Sequence, residues 1–165
     1  VPVLNHAPLG FSTMPRENTL DELALEFLKT FARMEYSLKA AGFHRGDGRA
    51  EADWNQFARE IEEFVANPPS GEVRAAIDFI FAEPPKKQMV DNNQIEWSDI
   101  PPETNSRADM LFQYIRRVRN NLFHGGKFNG RWFEPQRSEA LISSALAVLR
   151  AAAEAEPRVR EAYHG

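Results

Sequence analysis

The sequence predicts an all-α, single-domain bundle of about five helices. Three observations carry this reading. Apolar residues recur at three- and four-residue steps along most of the chain, Pro-Pro pairs and glycines punctuate those stretches, and no run alternates convincingly as a strand. A length of 165 residues suits one domain, since domains usually run to about 100–150 residues. The composition is 42% hydrophobic, 27% charged and 11% aromatic, which excludes a disordered tail or a collagen-like repeat.

Residues 1–17 hold Pro2, Pro8 and Pro15 without periodicity and are expected to form an irregular arm ahead of a helical domain at 18–165. A first helix is expected to open on a capping box, Thr19 with Glu22. Its stripe is Leu20, Leu23, Phe27, Phe31, Met34, Leu38 and Ala41, and Gly42 stops it. A basic, glycine-rich loop follows at 43–49. The second helix is expected from Asp53 to about Asn67 on Trp54, Phe57, Ala58, Ile61, Phe64 and Val65, closed by Pro68-Pro69. The third runs from Ser70 to about Phe81.

Residues 82–105 contain two Pro-Pro pairs and no clean period, and read as a loop. Loops that long usually lie on a partner or a site. The fourth helix starts near Ser106, where Ser106 and Asp109 form a capping pattern, runs on Leu111, Ile115, Val118 and Leu122, and ends at Gly125-Gly126. A turn is expected at Asn129-Gly130. The last helix runs from about Arg137 to Glu156, closed by Pro157.

Several function classes fall away on composition. With no cysteine, there is no disulfide scaffold, cysteine-ligated zinc, iron–sulfur cluster or thiol nucleophile. The four histidines, His6, His44, His124 and His164, lack metal-ligand spacing, and neither a metal nor a cofactor is expected. No stretch approaches a membrane span of about 20 apolar residues. The first residues carry no secretory pattern, so a cytoplasmic protein is expected. Gly125-Gly126-Lys127-Phe128 is not a phosphate loop, because Asn121 and Phe128 stand where a Walker motif needs Gly and Ser or Thr. Glu60, Glu62 and Glu63 read as a solvated face.

Charge is unevenly distributed. Between Ser106 and Arg137 seven cations (Arg107, Arg116, Arg117, Arg119, Lys127, Arg131, Arg137) stand against Asp109 and Glu134, a net of +5. The whole chain carries −4, so the remainder carries −9. A cationic field on an acidic body suits phosphate binding. The alternative is arginines complementing a helix dipole and surface carboxylates. Arg116, Asn120 and His124 are four apart and share one stripe of the fourth helix. Arg119 and His124 are five apart, about 140° around the helix. Two copies of that helix meeting at a symmetry axis would bring an Arg and a His from each chain into one cleft.

Arg119-Asn120 followed by His124 resembles the signature of HEPN domains, an Arg with a His four to six residues later and often a polar residue after the Arg. Val118 to Lys127 is close to the bacterial form, and Arg33, Glu35, Tyr36, Leu38, Lys39 and Ala41-Gly42-Phe43 of the first helix also resemble bacterial HEPN-type sequences. The resemblance spans roughly residues 20–150.

It implies a metal-independent endoribonuclease, working as a homodimer in a toxin–antitoxin, defence or mobile-element setting, with RNA as substrate and a possible cognate antitoxin protein. The RNA 2′-hydroxyl attacks the adjacent phosphorus, so neither a protein nucleophile nor a metal is needed. His124 would be the acid or base, an imidazole with a free pKa of about 6.5 suiting both roles. Arg119 would hold the phosphate and offset charge in the transition state. Asn120 would orient the His or a phosphate oxygen, and Arg116, Arg117 and Lys127 would hold the backbone.

Other readings stay open. One is a catalytically silent module of the same type that binds RNA, a nucleotide or a protein. Another is a plain helical bundle in which His124 merely caps its helix. Glu35 and Lys39, four apart, suggest an exposed ion pair, or else a carboxylate that orients His124. Trp97, Trp132 and Phe133 are expected in loops, closing the core or stacking on bases.

Overall fold

The computed structural model describes residues 16–125 and 134–165, which form seven helices and one two-stranded hairpin. In order these are α1 (Arg16–Ala40), α2 (Trp54–Glu60), α3 (Glu62–Ala66), α4 (Gly71–Ala82), β1 (Lys87–Asp91), β2 (Gln94–Ser98), α5 (Arg107–Phe123), α6 (Pro135–Ala155) and α7 (Pro157–His164). The protein is mostly helical, as its periodicity requires, but neither the count of five nor the absence of strands holds among the described residues. Most of the expected arm, the Asn129-Gly130 turn, Lys127, Trp132 and Phe133 lie outside them.

Helix α1 starts at Arg16, upstream of Thr19, so Thr19 sits inside the helix and the arm cannot reach residue 17. A capping pattern is a local option, and nothing in Arg16, Glu17 or Asn18 forbids another turn. The far end follows the sequence closely. Gly42 has φ +93°, its N–H donates to the Lys39 carbonyl at 3.2 Å, and the Phe43 N–H donates to the Leu38 carbonyl at 2.8 Å. That pair of hydrogen bonds is a Schellman stop, and Phe43 completes it by entering the core.

The single helix expected over 53–67 is two helices broken at Ile61, whose φ of −117° and ψ of 29° leave the helical region. The Ile61 N–H is shared between the Phe57 and Ala58 carbonyls at 3.2 and 3.3 Å, and the bend buries Ile61, Phe64 and Val65 together. Helix α7 begins on Pro157, which the sequence presents as a terminator. Proline serves equally well in a first turn, and here Glu156 caps the new helix by accepting from the Val159 N–H at 2.8 Å. Fully buried Val159 anchors it.

The expected loop at 82–105 contains the hairpin. Asn92 and Asn93 have φ of +46° and +62°, the left-handed pair that a tight hairpin turn demands and that asparagine tolerates. The antiparallel register runs from Lys87 opposite Ser98 to Asp91 opposite Gln94.

Helix α6 is the spine of the bundle, packing against α1, α4, α5 and α7, while α2 and α3 lie on α5. The core is aromatic where α1, α2 and α5 meet. Trp54 stacks on Phe31 at 5.4 Å and faces Phe112 at 5.7 Å, and Phe57 meets Phe112 at 5.5 Å and Phe43 at 5.6 Å. The Trp54 indole N–H donates to Glu35 at 3.2 Å. Glu35 thus serves the core edge, and neither the pair with Lys39 nor an approach to His124 occurs among its described contacts. Glu60, Glu62 and Glu63 are exposed, with Glu62 accepting from the Ser106 hydroxyl. Among the described residues no helix is long and apolar enough to cross a membrane.

Candidate functional site: a cationic groove between the fifth helix and the hairpin

Helix α5 presents two faces because its sequence has two periods. Leu111, Phe112, Ile115 and Val118 are buried against the bundle. Ser106 starts the helix by accepting from the Asp109 N–H at 2.9 Å, and His124 caps its C-terminal end, with its N–H donating to the Asn120 carbonyl at 2.9 Å. Between these ends the polar stripe of Arg116, Asn120 and His124 stands clear of the core.

That stripe lines a groove of about 330 Å³, together with Arg117 beside it. Gln113 and Asn121 complete the helical wall, and Lys87 and Gln88 of β1 form the other side. The volume lies at the small end of ligand-binding clefts, about 300–1,000 Å³. Among the described lining residues there are three permanent cations, one imidazole and four amides, and no carboxylate.

The cations also lack a carboxylate partner among the described residues, although the Arg117 guanidinium lies 5.4 Å over the Tyr114 ring. Among the described residues Arg116, Arg117 and Lys87 form no ion pair, whereas neighbouring cations are spent. Lys86 reaches Asp99 at 3.6 Å, Arg137 binds Glu83 and the Pro84 carbonyl at 3.1 Å each, and Arg107 lies 4.0 Å over the Phe81 ring. Half-buried Arg117 has its pKa drawn below the ordinary arginine value by desolvation, which nearby Tyr114 partly opposes. An arginine so placed stays charged and is poorly hydrated, a state that favours an anionic ligand.

Two amides in the wall have fixed orientations. Gln113 donates through Nε2 to Asp109 Oδ2 at 2.9 Å, and Asn121 donates through Nδ2 to the Lys86 carbonyl at 2.9 Å. The other oxygen of Asp109, Oδ1, is buried with no hydrogen-bond partner among the described residues.

The structure therefore brings Arg116, Arg117, Asn120 and His124 together and places Arg119 elsewhere. The Arg119 guanidinium lies 4.8 Å over the Phe123 ring and 5.8 Å over the Phe31 ring, and it donates to Asn120 Oδ1 at 3.0 Å. Phe123 in turn meets the His124 ring edge-on at 5.4 Å. Phe123 is 66% exposed, so an apolar ring stands in solvent between the Arg119 and His124 side chains. Trp97 is half-buried on β2, opposite Gln88.

Sequence reasoning missed Lys87, Gln88, Gln113 and Asn121. Gln113, Arg117 and Asn121 are themselves four apart, a second stripe beside the first, and that spacing was available. For Lys87 and Gln88 the available signal was the Asn-Asn turn. Among the described residues no group of three or more His, Asp or Glu is placed to hold a metal ion. Comparison with protein-family models, with curated proteins and with solved structures gave no match.

Proposed function

We propose that this chain is a metal-independent endoribonuclease of HEPN type, folded as a HEPN-like bundle and cutting RNA by attack of a 2′-hydroxyl on the adjacent phosphorus. One observation carries the reading: the groove lined by Lys87, Arg116, Arg117 and His124 has no carboxylate among its described residues, and its permanent cations form no ion pair among them. A polyanion supplies what such a groove lacks. His124, exposed at its end, has the access that proton transfer to and from a ribose hydroxyl and a leaving oxygen requires.

Arg119 is the phosphate-holding residue of this scheme, and it reaches the cut site across a homodimer. Exposed Phe123, with Arg119 over one face and His124 at its edge, is the apolar centre on which two copies of α5 would pair. The sequence likeness that suggests this chemistry also suggests a toxin or defence role with a cognate protein inhibitor.

A second reading, a catalytically silent module of the same type that binds RNA, has one observation in its favour. Arg119 is held on aromatic rings and on Asn120, outside the groove of its own chain. The test that separates them is incubation of single-stranded RNA with the protein in excess EDTA. The nuclease cuts, and His124→Ala does not. A binding module retards the strand and leaves it whole in both forms.

A further inference from the structure

We propose that the β-hairpin is the second jaw of the groove: Lys87 holds a nucleic-acid phosphate opposite Arg116 and Arg117, and Asn121 is the positioning residue that sets the jaw's reach. This rests on the reading of the groove as a site for single-stranded nucleic acid. The hairpin joins the bundle through its first strand, which packs on α5. The Asn121 amide, buried at 5% exposure, donates to the carbonyl of Lys86, the residue immediately before the strand. The bond fixes strand β1 against the helix one residue from Lys87.

The two adjacent lysines then divide in role. Lys86 is turned to Asp99 at 3.6 Å, while Lys87, exposed, lines the groove and has no carboxylate partner among the described residues. A cation without an ion pair at the rim of a groove whose far wall carries two more such cations gains from a phosphate between them. A lysine acts there as a point charge, giving affinity without base choice. The helical wall from Arg116 to His124 rises about 12 Å, so a phosphate held at Arg116 lies to one side of the bond that His124 would address.

The experiment uses an all-deoxy single strand, which carries the phosphates but lacks the attacking hydroxyl, and follows binding by fluorescence anisotropy across a salt series. Each phosphate contact on a single strand contributes about 0.7 to the slope of log K against log salt. Lys87→Gln lowers that slope by about 0.7 and weakens binding severalfold, while Lys86→Gln leaves the slope unchanged. Asn121→Ala weakens binding similarly, and adding Lys87→Gln to it costs little more.

If the wild type binds and Lys87→Gln keeps its slope, or Lys86→Gln lowers the slope equally, the jaw is refuted and the nucleic-acid reading stands. If the Asn121 and Lys87 effects add in full, the positioning role is refuted. If the wild type does not bind the strand at all, the groove reading and the jaw fall together. Lys87 is exposed, so its variant reports on binding whatever Asn121→Ala does to folding.

Discussion

Arg119 lies with its guanidinium carbon 4.8 Å over the ring of Phe123, the residue that directly precedes His124. Cation and imidazole thus both contact the same exposed ring. A dimer centred on Phe123 would bury that ring and release Arg119 toward the partner's groove. Phe123→Ser is therefore expected to shift sedimentation from dimer toward monomer and to remove RNA cleavage with it. A dimer and an activity both unchanged in this variant would remove Phe123 from the seam.

Arg119→Lys keeps the charge and loses the planar fork that binds phosphate through two bonds. Cleavage is expected to fall about 10²–10³-fold, the range for removing one donor to a developing anion. Melting temperature should hold within a few degrees, since Arg119 is only half-buried. Recovery of most activity by lysine would mean that charge alone suffices there.

Arg116→Gln and Arg117→Gln are expected to weaken binding of all single strands alike, each lowering the salt slope by about 0.7. Arg117 should lose more affinity than Arg116, because its guanidinium is the desolvated one, with a pKa drawn down by burial. Titrations at several salt concentrations check both statements. A change of base preference in either variant would contradict the assignment to phosphates.

Glu156 links stability to pH. Burial alone would raise its pKa, but the hydrogen bond from Arg158, the Val159 N–H and the Arg158 charge together bring it below the ordinary glutamate value. A carboxyl depressed on folding contributes stability that is complete above its unfolded pKa and is lost as pH falls through the folded one. Glu156→Gln keeps an acceptor for the Val159 N–H but loses the charge that Arg158 and the first turn of α7 favour, so it is expected to cost about 0.5–1 kcal/mol near neutral pH. The difference should shrink as pH drops below the carboxylate range. Thermal melts of both proteins from pH 7 down to pH 3 test this, and a gap that widens in acid would contradict it.

Much of the helical frame was written in local patterns. The Schellman stop at Gly42 and the Ser106 cap of α5 needed nothing beyond neighbouring residues, and both occur. The break at Ile61 and the start at Pro157 were not legible, because each is decided by burial. Ile61 and Val159 reach the core only if the chain turns there, but a helical stripe drawn on sequence runs straight through Ile61, and Pro157 reads as a stop ahead of Val159. The hairpin was hidden for a different reason. Its strands are short and mostly exposed, with Met89, Val90 and Ile95 on solvent, so they lack the alternation of a half-buried strand. In the site, the spacing of Arg116, Asn120 and His124 placed one wall. The other wall depends on Asn121 meeting Lys86, 35 positions earlier, and no local pattern encodes such a contact.

The ends left on cut RNA test the proposed chemistry most directly. Single-stranded RNA digested by the wild-type protein in EDTA and weighed by mass spectrometry should carry 2′,3′-cyclic phosphate and 5′-hydroxyl ends. An all-deoxy strand should stay intact, and His124→Ala should lose at least about 10²-fold in rate, as for removal of a general acid or base. Fragments ending in 3′-hydroxyl and 5′-phosphate, or undiminished cutting by His124→Ala, would contradict attack by the neighbouring hydroxyl at this histidine.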